Sequence, residues 1–103
     1  MTLRITRKER SPSRVTLRLE GSVAAQWAAL LAHECARLLR SRSAVSLDLG
    51  GVSFVDQAGV QTLERLSRTG VEIRCRPGAV ASVLESEGVR VTWEADEGDG
   101  ERL

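Results

Sequence analysis

The feature that most limits what this chain can become is the run Ala44-Val-Ser-Leu-Asp-Leu49. It is too apolar for a strand that shows one face to water, and it reads as a strand buried in the middle of a sheet. Such a strand needs neighbours on both edges, and the chain supplies them. Leu3 and Ile5, then Val15, Leu17 and Leu19, alternate with Arg4, Thr6, Thr16 and Arg18, the period of two that marks half-buried strands. Turn residues between them, Glu9-Arg-Ser-Pro-Ser13, predict an antiparallel hairpin with a loose loop. Gly21-Ser22 is expected to end the second strand, with Ser22 capping a helix from Val23 to about Arg40. At helical spacing Trp27, Leu31, Cys35 and Leu38 share one side with Val23, Ala28 and Leu39 nearby, while Gln26, His33, Arg37 and Arg40 take the other.

After the central strand, Gly50-Gly51 is expected to turn the chain off the sheet, with Val52, Phe54 and Val55 anchoring the loop by burial. A helix to about Arg68 turns Val60, Leu63 and Leu66 inward, and Gly70 is its left-handed stop. Val71, Ile73 and Cys75 read as a strand, and Pro77 as the opening of a helix with Val80, Val83 and Leu84 inward and Gly88 as its stop. Val89, Val91 and Trp93 make a short edge strand. The order β-β-α-β-α-β-α-β predicts a single α/β domain over residues 1–93, with a mixed sheet of about four to five strands and helices mainly on one face. Residues 94–103, EADEGDGERL, read as an acidic, solvated and disordered tail.

Composition narrows the function. A chain of 103 residues, 42% hydrophobic and 28% charged, fits one soluble globular domain and excludes collagen-like, disulfide-scaffold and disordered classes. Its most apolar stretch, Ala28 to Ala32 with flanks, is interrupted by Gln26, His33 and Glu34, far short of the ~20 residues of a membrane span. No apolar segment follows the basic N-terminal residues, so no signal peptide is read and a cytoplasmic location is expected. Cys35 and Cys75 lack a CxxC partner and there is one His, so neither a zinc site nor any other metal or cofactor is expected. Residues 1–42 carry nine basic and three acidic side chains, and residues 94–103 carry one and five. The basic half could face an anionic partner. With only Trp27, Phe54 and Trp93 as aromatics and no basic–aromatic interleaving, nucleic acid is not expected.

No catalytic constellation assembles. His33 lies on the wet face of its helix, Cys35 at i+2 from it points elsewhere, and neither GxxxxGK[ST] nor GxGxxG occurs. The segment that stands out is residues 45–66, VSLDLGGVSFVDQAGVQTLERL. Asp56 is placed to cap the following helix, accepting N–H groups near Gly59 at the positive end of the helix dipole. Residue 57 is then held outward beside free backbone donors, where a phosphate would be stabilised.

This segment resembles the signature of STAS domains, the family that includes bacterial anti-sigma-factor antagonists: an apolar strand ending in Asp-Leu, a short loop, then Asp-Ser-[Ser/Ala]-Gly-Leu opening a helix. The resemblance extends over about residues 2–93. It implies a non-catalytic module that docks onto a partner through the Asp-x-x-Gly corner and the helix after it. The partner implied is an anti-sigma-factor kinase that phosphorylates the Ser following the Asp. Alternatives within the family are an accessory subunit that binds the ATPase of an ABC-type lipid transporter, or a domain that senses a nucleotide or lipid. Asp56 and Gly59 match the pattern, but Gln57 and Ala58 stand between them, so the phosphoacceptor hydroxyl is missing. The expected docking face is Asp56, Gln57, Ala58 and Gly59 with Gln61, Glu64, Arg65 and Arg68 along the helix. Oligomeric state and direct membrane insertion have no signal in the sequence; none is expected of the latter.

Overall fold

The computed structural model describes residues 2–42 and 44–93. They form β1 (Leu3–Ser11), β2 (Arg14–Val23), α1 (Ala25–Leu39), β3 (Ala44–Val55), α2 (Gln57–Arg68), β4 (Glu72–Cys75), α3 (Ala79–Ser86) and β5 (Thr92–Trp93). This is the expected element order. The strands make one mixed sheet in the order β1-β2-β3-β4-β5, with β1 antiparallel to β2 and the remaining pairs parallel. The expectation for residues 94–103 lies outside the described residues.

Register explains why the helices form one layer. Val15 pairs with Val45, and Leu17, Leu47 and Ile73 lie in one row across three strands. Aligned residues project to the same side of a sheet, so these side chains make a continuous apolar face. Ala28, Leu31, Cys35 and Leu38 of α1, Val60, Leu63 and Leu66 of α2, and Ala81 and Leu84 of α3 are buried in the same core cluster. The other face carries Thr16, Arg18, Ser46, Asp48, Glu72 and Arg74. β3 is therefore central in position but packed on one face only, a correction to the fully buried strand expected. Ser46 and Asp48 face the open side, where Asp48 accepts from the Gly50 N–H at 2.9 Å and meets Arg18 at 3.4 Å.

Several boundaries differ from expectation for identifiable reasons. The hairpin loop is tight, because β1 runs to Ser11 and β2 starts at Arg14, with a register shift between Glu9 and Ser11. Glu9 is tied to Arg42, beyond the end of α1, at 2.9 and 3.1 Å. Gly50-Gly51 does not turn β3 off the sheet. The register between β2 and β3 shifts between Arg18 and Glu20 and again between Gly21 and Ser22, each time by one extra residue in β3. The glycines sit at the first of these bulges. A side chain at Gly51 would lie 2.7 Å from Glu20 Cγ and 3.0 Å from the Leu19 carbonyl oxygen. β3 therefore continues to Val55 and carries β2 on to Val23. Ser22, expected to cap α1, is buried inside β2. Val23 is likewise in the strand, not the helix. Pro77 precedes α3, whose N-cap is Gly78. Val83, expected inward, is 43% exposed, with Ala81 and Leu84 taking the buried positions of this eight-residue helix.

The two predicted helix stops are as read. Gly70 (φ 104°) and Gly88 (φ 86°) follow α2 and α3. The next residues, Val71 and Val89, donate back to Leu66 and Leu84 at 3.1 and 2.9 Å, the Schellman pattern.

Candidate docking site at the start of α2

The corner between β3 and α2 is built around Asp56. Its N–H donates to the Val23 carbonyl at 3.3 Å, the last link between β2 and β3, and its own carbonyl accepts the first helical bond from Val60 at 2.9 Å. Its carboxylate works twice. Oδ1 accepts from the Gly59 N–H at 2.8 Å, the expected N-cap. Oδ2 accepts from the Ala25 N–H at 3.1 Å, at the first residue of α1. The N-cap residue of α1, Ala24, has no side-chain acceptor, so Asp56 serves as cap for both helices. Two positive helix ends thus meet one negative charge. Ala25 adopts φ 50°, a left-handed conformation that costs a non-glycine residue roughly 1–2 kcal/mol, and the bond to Asp56 holds its N–H there.

Gly59 is the second fixed point. A Cβ at this position would collide with the Val23 carbonyl oxygen and lie 2.9 Å from Val55 Cγ1. Helix α2 can cross the end of β2 this closely only because residue 59 has no side chain. Both ends of the Asp-x-x-Gly pattern therefore point inward and have structural jobs: Gly59 is buried and Asp56 half-buried. The two residues between them, Gln57 and Ala58, are exposed. The helix starts at Gln57, so the corner has the geometry expected of it.

Along α2, Gln61, Arg65 and Arg68 are exposed and Glu64 is half-buried, its carboxylate 2.6 Å from Arg68. Gln57 and Gln61 line a groove of about 270 Å³ with Asp56, Val60, and Val83 and Glu87 from the α3 side. Glu64 and Arg68 line a second, of about 360 Å³, with Gly88 and Arg90. The stripe is thus one wall of a cleft whose other wall comes from α3 and its continuation. Sequence reasoning missed this wall. Val80, Val83 and Leu84 suit an apolar stripe that would place Val83 in the core, but the phase set by the buried Ala81 and Leu84 turns Val83 outward. Phe54, expected to anchor a loop, is 44% exposed two residues before Asp56.

The groups considered for catalysis do not converge. His33 is exposed on α1, while Cys35 is fully buried, and burial with the nearby Glu34 charge pushes its thiol up to about 12. Cys75 is also buried, and both cysteines are free. No helix among the described residues is long and apolar enough to cross a membrane.

A family model described as Mlab, STAS domain, matches residues 6–91. Three solved structures share the fold at low identity. An anti-sigma factor antagonist from Mycobacterium paratuberculosis has TM-score 0.76 and 16% identity, over 95% of this chain and 90% of that one. The anti-sigma factor antagonist SpoIIAA in its unphosphorylated form gives 0.73 and 14%, over 96% and 95%. The Bacillus cell fate determinant SpoIIAA in its phosphorylated form gives 0.68 and 14%, over 96% and 98%. No curated protein matches the chain.

Proposed function

The chain belongs to the STAS domain family, and from that premise we propose that it is a non-catalytic, cytoplasmic protein-binding module whose docking surface is the exposed start of α2. The observation that carries this reading is the division of labour within the corner. Asp56 and Gly59 are spent on holding α1, α2 and the end of β2 together. Gln57 and Ala58 are left exposed at the same point. A rigid corner that presents two side chains beside an open cleft is suited to stoichiometric recognition, since little order is lost on binding. The face comprises Gln57 and Ala58, then Gln61, Glu64, Arg65 and Arg68, with Val83 and Glu87 across the cleft. The partner is an anti-sigma-factor kinase or a similar regulator.

Gln57 stands where the resemblance places the phosphoacceptor Ser, and an amide cannot take a phosphate from a Ser/Thr kinase. Binding is therefore not gated by phosphorylation at this position, and the neutral amide imitates the unmodified state. The same absence favours a second reading, in which the partner is the ATPase of an ABC-type lipid transporter.

A photo-crosslinking residue at position 57, with one at Arg4 on the sheet as control, tests the assignment in native lysate. Capture of one protein from position 57 and not from position 4 is expected, and the identity of that protein separates the two readings. Capture from position 4 alone would overturn the surface. Incubation of the purified pair with ATP should leave the intact mass of the module unchanged, and phosphate on residues 53–61 would contradict the ungated mechanism.

A further inference from the structure

The open face of the sheet carries cations that the α2 corner does not use. Arg10, Arg14 and Arg74 line a groove of about 210 Å³ with Thr16, Ser46 and Glu72. The register of β3 with β4 sets Arg74 beside Asp48, two residues on from Glu72. Both carboxylates are engaged elsewhere. Glu72 accepts from Ser46 Oγ at 3.0 Å, and Asp48 accepts from the Gly50 N–H at 2.9 Å and from Arg18 at 3.4 Å. Among the described residues Arg10, Arg14 and Arg74 form no ion pair. Arg74 is half-buried, and its Nε is fully buried with no hydrogen-bond partner among the described residues. A buried donor left unused is costly, and such groups mark places where something beyond the chain completes the bonding.

The chemistry of that missing acceptor follows from the lining. A guanidinium presents its N–H groups as a planar fork, which fits two oxygens of a carboxylate or a phosphate. Three guanidinium cations and one carboxylate line the groove, a net of two positive charges. A phosphate monoester brings about −1.5 to −2 near neutral pH and a carboxylate only −1, so phosphate is the better match. Its third terminal oxygen is left for Arg10 and Arg14, exposed at the tip of the β1–β2 hairpin. No aromatic side chain lines the groove, so a nucleic-acid base would find no stacking platform.

We propose that the groove of Arg10, Arg14 and Arg74 binds a phosphate monoester, either as a soluble phosphate or as the headgroup of a lipid. Arg74 is the anchor, because its buried Nε gains a partner on binding, and the two hairpin arginines close over the ligand from β2. The site lies on the sheet face opposite the helices, so it is independent of the α2 corner and leaves that surface open.

Titrating the isotope-labelled full chain with inorganic phosphate, at ionic strength held constant with chloride, tests this by following the backbone amides. Saturable shifts confined to residues 10, 14–16, 46 and 72–74 are expected, and Arg74→Gln should weaken binding about tenfold. Arg14→Gln changes an exposed side chain and should weaken binding too, so the test survives if Arg74→Gln does not fold. Shifts that grow without saturating, that spread over the whole surface, or that chloride alone reproduces would overturn the site. So would unchanged affinity in either folded variant. Sedimentation with phosphatidylcholine vesicles, with and without phosphatidic acid, separates the two sources. Retention that needs phosphatidic acid and is lost in Arg74→Gln assigns the site to a lipid headgroup, and saturable phosphate binding with no retention assigns it to a soluble phosphate. Retention undiminished in folded Arg74→Gln would overturn the groove as the point of contact.

Discussion

Replacing Asp56 by Asn separates a shared cap from an ordinary one. Asn and Asp are about equal as N-caps of a single helix, so a carboxylate serving α2 alone could be exchanged at almost no loss. Here both oxygens accept N–H bonds, from Gly59 at 2.8 Å and Ala25 at 3.1 Å. An amide has one oxygen and one NH2 group, so in either orientation a donor faces a donor. The loss includes one hydrogen bond to a charged group, roughly 1.5–3 kcal/mol when sheltered, and less here because the Ala25 bond is exposed. It also includes the attraction of the charge to two helix ends, ~0.3–1 kcal/mol each. The expected destabilisation is about 1.5–2 kcal/mol, and a fall of roughly 6–16 °C in Tm at ~4–8 °C per kcal/mol. Asp56→Ala, which removes both acceptors, should lose about 2–3 kcal/mol. Urea titrations followed by circular dichroism measure both. If Asp56→Asn unfolds within ~0.3 kcal/mol of the parent, the double cap is refuted, since that is the result a single cap predicts.

Three further outcomes follow from the same geometry. Gly59→Ala should destabilise by about 1–3 kcal/mol despite the better helix propensity of alanine, because the new methyl meets the Val23 carbonyl and Val55; equal or higher stability in the same titration would show that α2 has room to move. With its thiol pushed up to about 12 by burial, Cys35 should react with a disulfide reagent at pH 8 only as fast as the chain unfolds, and an immediate burst of modification would contradict its burial. Glu9 is held below its ordinary carboxylate value, first by the hydrogen bond from Arg7 and also by Arg42. Its contribution is complete above the unfolded value, ~4.3, and is lost as pH falls through the lower folded value, so Glu9→Gln should lower Tm slightly across the neutral range and converge with the parent in acid, flattening the acid limb of a Tm-against-pH curve; curves that differ only at low pH would contradict this.

What could be read from sequence was what is local. The α2 cap was legible because Asp56 and Gly59 are three residues apart and the acceptor and donor types are unmistakable. The α1 cap was not, because its acceptor comes from 31 positions away, and Ser22 offered a plausible hydroxyl nearby. Gly50-Gly51 has the composition of a turn. Whether two glycines turn a strand or bulge it depends on the neighbouring strand, here on how closely Glu20 and Leu19 approach Gly51. The run 44–49 predicted a central strand correctly and its second buried face wrongly, since Ser46 and Asp48 find polar partners across the open side. The stripe Gln57–Gln61–Glu64–Arg68 was legible as a wet helix face. Its opposite wall at Val83 and Glu87 belongs to tertiary packing and had no local signal.

The most direct test of the docking surface is the affinity of the protein crosslinked at position 57 for Gln57→Arg, measured by calorimetry beside an unfolding curve. Residue 57 is exposed at the first position of α2, so the unfolding curve should shift by no more than a positive charge costs at a helix N-terminus, ~0.3–1 kcal/mol, while affinity falls at least about tenfold, some 1.4 kcal/mol. Equal affinity in the folded variant would mean that the partner grips this molecule elsewhere.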